Sequence, residues 1–193
     1  MLTCERMHGV FRENEIEFFS GVPDSTFGPW MAYLSDHEDV LTHRIAVNEG
    51  AAVAHAAGYH LATRGVGLVY LQNSGLGNAV NPLTSLVDPE VYSFPVLLMV
   101  GWRGEPGRPD EPQHRKMGPL TLPLLDLLGI PHHVLDPDTV EDTIRDCCAY
   151  ARRHNHAVAI VVRSGIFEPY GQSSDRNGSG KLTREHAVGL VAD

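Results

Sequence analysis

Apolar and polar positions alternate in blocks along this chain, with short apolar runs giving way to longer segments of helical spacing. Residues 15–21 (EIEFFSG) predict a first strand, which Val22-Pro23-Asp24-Ser25 ends before a helix over residues 29–34. Residues 40–47 predict a second strand, and Glu49–Thr63 a helix rich in alanine. Arg64-Gly65 closes that helix with a charge and a glycine past its last turn. Residues 66–72 form a buried strand, residues 73–77 a tight glycine loop, and residues 78–87 the next helix. Residues 94–101 are apolar throughout, as central parallel strands are. Further on, residues 120–128 predict a helix, 132–135 a short strand, 139–153 an amphipathic helix capped by Asp138 or Thr139, and 158–163 a last strand. Strands alternating with helices predict an α/β fold: a three-layer domain with a mostly parallel sheet flanked by helices.

Two segments stand outside this alternation. Residues 102–118 are rich in proline, glycine and charges of both signs, and a loop of that length in a compact domain is either disordered or functional. Residues 171–181 are polar, rich in serine and glycine, and linker-like, and residues 182–193 predict a short terminal helix. One domain is therefore expected over residues 1–170, with a linker and helix over 171–193.

Composition narrows the function. A length of 193 residues with 42% hydrophobic content suits one globular domain. The formal net charge of -9 argues against nucleic-acid binding, which needs a basic face. A small anionic ligand stays compatible, because a few arginines make a local positive pocket. Cys4, Cys147 and Cys148 are odd in number, and two are adjacent, so they read as reduced thiols of a cytoplasmic protein. The N-terminus carries no apolar run of the signal-peptide kind, and no stretch approaches the roughly 20 apolar residues of a membrane span.

Four segments could carry chemistry. Glu49 sits where a strand yields to a helix, at the end of the sheet where open α/β folds place ligands. The alternative is a first-turn glutamate that stabilises its own helix. The turn Asn73-Ser74-Gly75-Leu76-Gly77 resembles a dinucleotide fingerprint only in part, because Val80 stands where the third small residue belongs. It serves either as a ring of N–H donors or as a plain tight turn. Asp24 and Ser25 offer a proton-relay acid and an anion donor, or a simple helix cap. In residues 102–118, Arg103, Arg108, Arg115 and Lys116 could clamp an oxyanion and His114 could move protons, or the loop is a solvated, charge-balanced surface. The eleven histidines show no zinc-site spacing. Gly178-Ser179-Gly180-Lys181 lacks the strand and final hydroxyl of a phosphate-binding loop.

Taken together, FFSGVPDS, NEGAAVAHAAGY, LQNSGLGNAVNPLTSL and GWRGEPGRPDEPQHRKMG resemble the N-terminal half of phosphonopyruvate decarboxylases, and the related alpha subunits of sulfopyruvate decarboxylases. The resemblance covers roughly residues 18–163, and NEGAA is its most widely shared element. It implies thiamine diphosphate as cofactor, with Glu49 hydrogen-bonding the aminopyrimidine ring and favouring its imino form. It implies Asp24 and His114 as proton-transfer groups, Ser25 and Arg103 as binders of the substrate's anionic end, and Asn73 and Ser74 as active-site lining. The implied reaction converts phosphonopyruvate to phosphonoacetaldehyde and carbon dioxide.

The chain departs from that family in one respect. A complete enzyme carries a second domain whose Gly-Asp-Gly motif binds Mg2+ and the diphosphate, and no Gly-Asp-Gly occurs here. A beta subunit or a missing C-terminal domain is therefore expected to supply it, in an assembly such as α2β2, and the chain alone is expected to be inactive. Three rivals remain: sulfopyruvate as substrate, a non-catalytic regulatory subunit that kept the fold, and a nucleotide-binding domain using the Gly75/Gly77 turn.

Overall fold

The computed structural model describes residues 1–37 and 41–171. Helices and strands alternate as α1 (Cys4–Glu13), β1 (Phe18–Gly21), α2 (Gly28–Asp36), β2 (Thr42–Ile45), α3 (Glu49–Thr63), β3 (Gly67–Gln72), α4 (Leu76–Pro82), β4 (Val96–Trp102), α5 (Met117–Leu127), β5 (His132–Val134), α6 (Val140–His154) and β6 (Ala157–Arg163). Among the described residues every strand pairing is parallel, and six strands lie in the order β2-β1-β3-β4-β6-β5. The three-layer reading therefore holds.

Period-two alternation along the inner strands divides the core in two. On one face Phe19, Tyr70, Met99 and Ile160 pack with residues of α1, α2 and α6, such as Phe11, Trp30 and Cys147. On the other face Val69, Leu98, Val100 and Val161 pack with residues of α3, α4 and α5, such as Val53, Ala79 and Leu125. Both faces of β3 and β4 are covered, which is why those strands read as continuous apolar runs. No helix among the described residues is long and apolar enough to cross a membrane.

Several boundaries shift from expectation for identifiable reasons. The first strand begins at Phe18, because Glu15 takes a left-handed turn (φ 57°) that no strand accommodates. The second strand shortens to Thr42–Ile45. The residue in the left-handed conformation after α3 is Arg64 itself (φ 65°), not Gly65. Thr139 stands at the N-cap of α6 but makes no side-chain cap hydrogen bond. Helix α1 was not foreseen: Thr3 caps it by accepting from Arg6 N, and it buries Met7, Val10 and Phe11. The expected terminal helix at 182–193, and nearly all of the linker, lie outside the described residues.

Candidate active site

Strand β1 has β2 on one side and β3 on the other, so the chain reverses its direction of travel across the sheet between β1 and β3. In open parallel sheets the carboxyl ends of strands at such a switch form a crevice for ligands. The segments that leave these ends carry every expected site residue. Asp24 and Ser25 follow β1, Glu49 follows β2, Asn73 and Ser74 follow β3, and Arg103 follows β4. His114 closes a short turn (Pro112–His114) ahead of α5.

Glu49 is the first residue of α3, whose cap is Asn48: its Oδ1 accepts from Ala51 N at 2.8 Å. The carboxylate is half-buried and turned toward the segment that follows β3. Asn78 Nδ2 donates to Oε2 at 2.7 Å. Oε1 lies against Gly75, where an added Cβ would sit 2.3 Å from it. Only glycine leaves this notch open. Just before Glu49 in the chain, Val47 is 93% exposed and Ile45, the last residue of the edge strand β2, 62% exposed. The family resemblance implies an aminopyrimidine ring here. A fixed carboxyl oxygen in a glycine notch fits the edge of such a flat ring. Among the described residues, no group of three or more His, Cys, Asp or Glu is placed to hold a metal ion.

A second cluster forms around Asn73, Ser25 and Arg103. The Asn73 amide is fully buried and works as a clamp. Its Nδ2 donates to the Arg103 carbonyl and to Thr121 Oγ1, both at 2.8 Å, and its Oδ1 accepts from Arg103 N at 3.3 Å. This ties the start of the 103–118 segment and α5 to the end of β3. The segment is ordered: Gly118 packs against the Gly104 backbone so closely that a Cβ would fall 1.6 Å from the Gly104 oxygen. Trp102 Nε1 donates to the Gly118 carbonyl at 2.8 Å, which closes the loop at its base.

Arg103 does not offer an unpaired charge. Its Nε and Nη2 donate to both oxygens of Asp110, at 2.9 Å and 2.5 Å for the shortest contacts. Asp110 also accepts from Gly104 N at 2.6 Å and Glu111 N at 2.7 Å. The Arg103 guanidinium, with these two amides, holds the Asp110 carboxyl well below the usual carboxylate range. The remaining arm, Arg103 Nη1, donates to Ser25 Oγ at 2.9 Å. Asp24 is buried near Arg103, with its Oδ2 facing Gly101 and making no hydrogen bond among the described residues. Arg163 and Arg108 both pair with Glu105, at 2.7 Å and 3.1 Å. Ser74 is exposed and accepts from Gln72 Nε2 at 2.5 Å.

The structure thus brings Ser25, Arg103 and Asp24 together, and Asn73 joins them through the Arg103 backbone. Glu49 stands in a separate notch reached through the same turn. Two residues were not singled out from sequence, Asn78 and Asp110. Asn78 is five residues after Asn73, on the first turn of α4, a position that a helix starting at 76 would have aimed at the crevice.

Comparisons with known proteins bear on the family and the fold. Residues 3–121 match the family described as "Thiamine pyrophosphate enzyme, N-terminal TPP binding domain". The chain is 36% identical over 179 residues to a phosphonopyruvate decarboxylase of Streptomyces viridochromogenes, a match covering 90% of this chain and 44% of that one. It is 29% identical to the sulfopyruvate decarboxylase subunit alpha of Methanococcus maripaludis, covering 87% of this chain and 98% of that one. The chain thus spans less than half the length of the phosphonopyruvate decarboxylases it matches. Among solved structures, the thiamine diphosphate-dependent 4-hydroxybenzoylformate decarboxylase of Rhodococcus jostii superposes with a TM-score of 0.64 at 19% identity, covering 99% of this chain and 37% of that one. Benzoylformate decarboxylase from Polynucleobacter necessarius gives 0.63 at 18%, covering 94% and 33%. These structural likenesses concern the fold. By the family match over residues 3–121, this chain belongs to the thiamine pyrophosphate enzymes, as their N-terminal TPP-binding domain.

Proposed function

We propose that this chain is the pyrimidine-binding half of a thiamine-diphosphate-dependent decarboxylase acting on phosphonopyruvate. A beta subunit or a further domain holds the diphosphate and Mg2+. The observation that carries this proposal is Glu49, a carboxyl fixed by Asn78 and lodged in the Gly75 notch at the switch crevice. Support comes also from the names of two relatives, 36% and 37% identical to the chain.

When bound, thiamine diphosphate supplies the carbon nucleophile and the electron sink for loss of carbon dioxide. The residues of this chain bind, orient and move protons. Glu49 Oε1 would hydrogen-bond the edge of the pyrimidine ring, and Asn78, donating to Oε2, would keep the carboxyl turned toward it. Asp24, buried with no hydrogen-bond partner for its Oδ2 among the described residues, would hold or release the proton needed to free the product, with His114 as the alternative donor. Ser25 donates to the substrate's anionic end. The fully reduced, buried thiols of Cys4, Cys147 and Cys148 suit a cytoplasmic setting.

A sulfopyruvate substrate is the second reading, and the ion pairs favour it. Arg103 is neutralised by Asp110, and Arg108 and Arg163 share Glu105. A sulfonate carries less charge than a phosphonate and needs fewer uncompensated cations. The test is decarboxylation of each oxoacid, with thiamine diphosphate and Mg2+, by the chain alone and with its diphosphate-binding half. Aldehyde formed from phosphonopyruvate only in the assembly supports the proposal. Faster turnover of sulfopyruvate moves the assignment to the second reading. No turnover of either by an intact assembly removes both.

A further inference from the structure

We propose that Asp110 is a positioning residue: through Arg103 it fixes the direction in which Ser25 donates its hydroxyl proton. The argument rests on the functional reading above only for the ligand that receives this proton.

A guanidinium has donors and no acceptor. Because Arg103 Nη1 points at Ser25 Oγ, the serine oxygen must accept, and its hydrogen must point elsewhere. Among the described residues, none accepts that hydrogen, and Ser25 is exposed at the mouth of the crevice. The hydroxyl is therefore available as a donor to an oxyanion. Its direction is only as fixed as the guanidinium plane. That plane is set by the paired hydrogen bonds to Asp110, while the backbone amides of Gly104 and Glu111 prevent the carboxylate from turning. Both members of the pair are largely shielded, with side-chain exposures of 19% and 16%.

Charge excludes the simpler role for Arg103. Asp110 cancels its charge, and Asp24 adds a second carboxylate nearby. An incoming phosphonate or sulfonate would have to expel Asp110 and leave the Gly104 and Glu111 amides without their acceptor. Contact through the Ser25 hydroxyl needs no such exchange. Arg103 therefore acts through Ser25, and Asp110 acts through Arg103.

A double-mutant cycle on the assembled enzyme tests the chain of contacts. Asp110→Asn is expected to raise KM for the oxoacid about tenfold, with a smaller change in kcat. In a Ser25→Ala background the same substitution should change KM less than about twofold, because its target is gone. Arg103→Lys keeps the charge pair with Asp110 but lacks the fork that also reaches Ser25, so it should match Ser25→Ala in KM while melting like the wild type. The same cycle is then run on the dissociation constant of methylphosphonate, measured by calorimetry, which needs no turnover. Coupling in binding without decarboxylation would sink the functional reading and leave the positioning role intact. An Asp110→Asn effect of equal size with and without the Ser25 hydroxyl, or no effect on KM or binding, would overturn the proposal.

Discussion

Asn78 and Glu49, 29 residues apart in the chain, meet at 2.7 Å where the turn after β3 faces the start of α3. Asn78 is exposed and Glu49 only half-buried, so the contact does little for the fold. Its effect is on orientation. Asn78→Ala should lower kcat/KM by about 1.5–3 kcal/mol of transition-state stabilisation, the typical value of a hydrogen bond to a charged group. Glu49→Gln should reduce turnover further while subunit assembly persists. Steady-state kinetics with thermal melting checks both. Full activity in Glu49→Gln would remove Glu49 from the proposed mechanism.

Asn73 should behave in the opposite way. It is fully buried, and its three hydrogen bonds connect β3, the 103–118 segment and α5. Asn73→Ala leaves the Arg103 carbonyl without that donor, and should cost about 2–3 kcal/mol in urea unfolding. A stability loss below about 0.5 kcal/mol would show that the clamp is not structural.

Two glycines make a matched pair. Gly118→Ala would drive a Cβ into the Gly104 backbone, and should destabilise the chain by about 3 kcal/mol or more and open the loop to proteolysis. Gly77→Ala meets nothing within 4 Å on the exposed face of α4, and should stabilise by up to about 1 kcal/mol. Melting curves and limited digestion separate the two.

The buried thiols give a pH dependence with a definite sign. Burial pushes Cys147 up to about 12 and Cys148 up to about 11. An exposed thiol ionises near 8.5, so above that pH the unfolded chain loses protons that the folded chain keeps. Stability should therefore be unaffected at neutral pH and fall as pH rises from about 9 toward the folded values. Urea midpoints across that range check the slope, and the thiols should react with disulfide reagents at pH 8 only as fast as the fold opens.

Much of the fold was legible because single elements obeyed one rule each. Helix α3 ran over the residues that alanine content indicated, and β3 and β4 stood out as apolar runs. Helix α1 was missed because its pattern is amphipathic rather than apolar. Met7, Val10 and Phe11 recur at helical spacing among charges, a signal that a search for apolar runs passes over. At the proposed site, the placing of residues after strand ends was legible from position alone. Asp110 was not, because its partner lies seven residues back across a closed loop, a relation with no periodic signature. The same loop gives Arg103 its ion pair: sequence shows a cation, and only folding shows that Asp110 lies against it.

The all-parallel sheet also sets an order of events during synthesis. No strand can pair with the next through a hairpin, so each pairing waits for a distant segment. Strand β4 finds β3 upstream, but its other neighbour is Ala157–Arg163, more than fifty residues later. At ribosomal speeds of about 5–20 residues per second, the apolar edge of β4 stays uncovered for several seconds. A nascent chain halted between α5 and α6 should therefore bind general chaperones far more strongly than one released after β6.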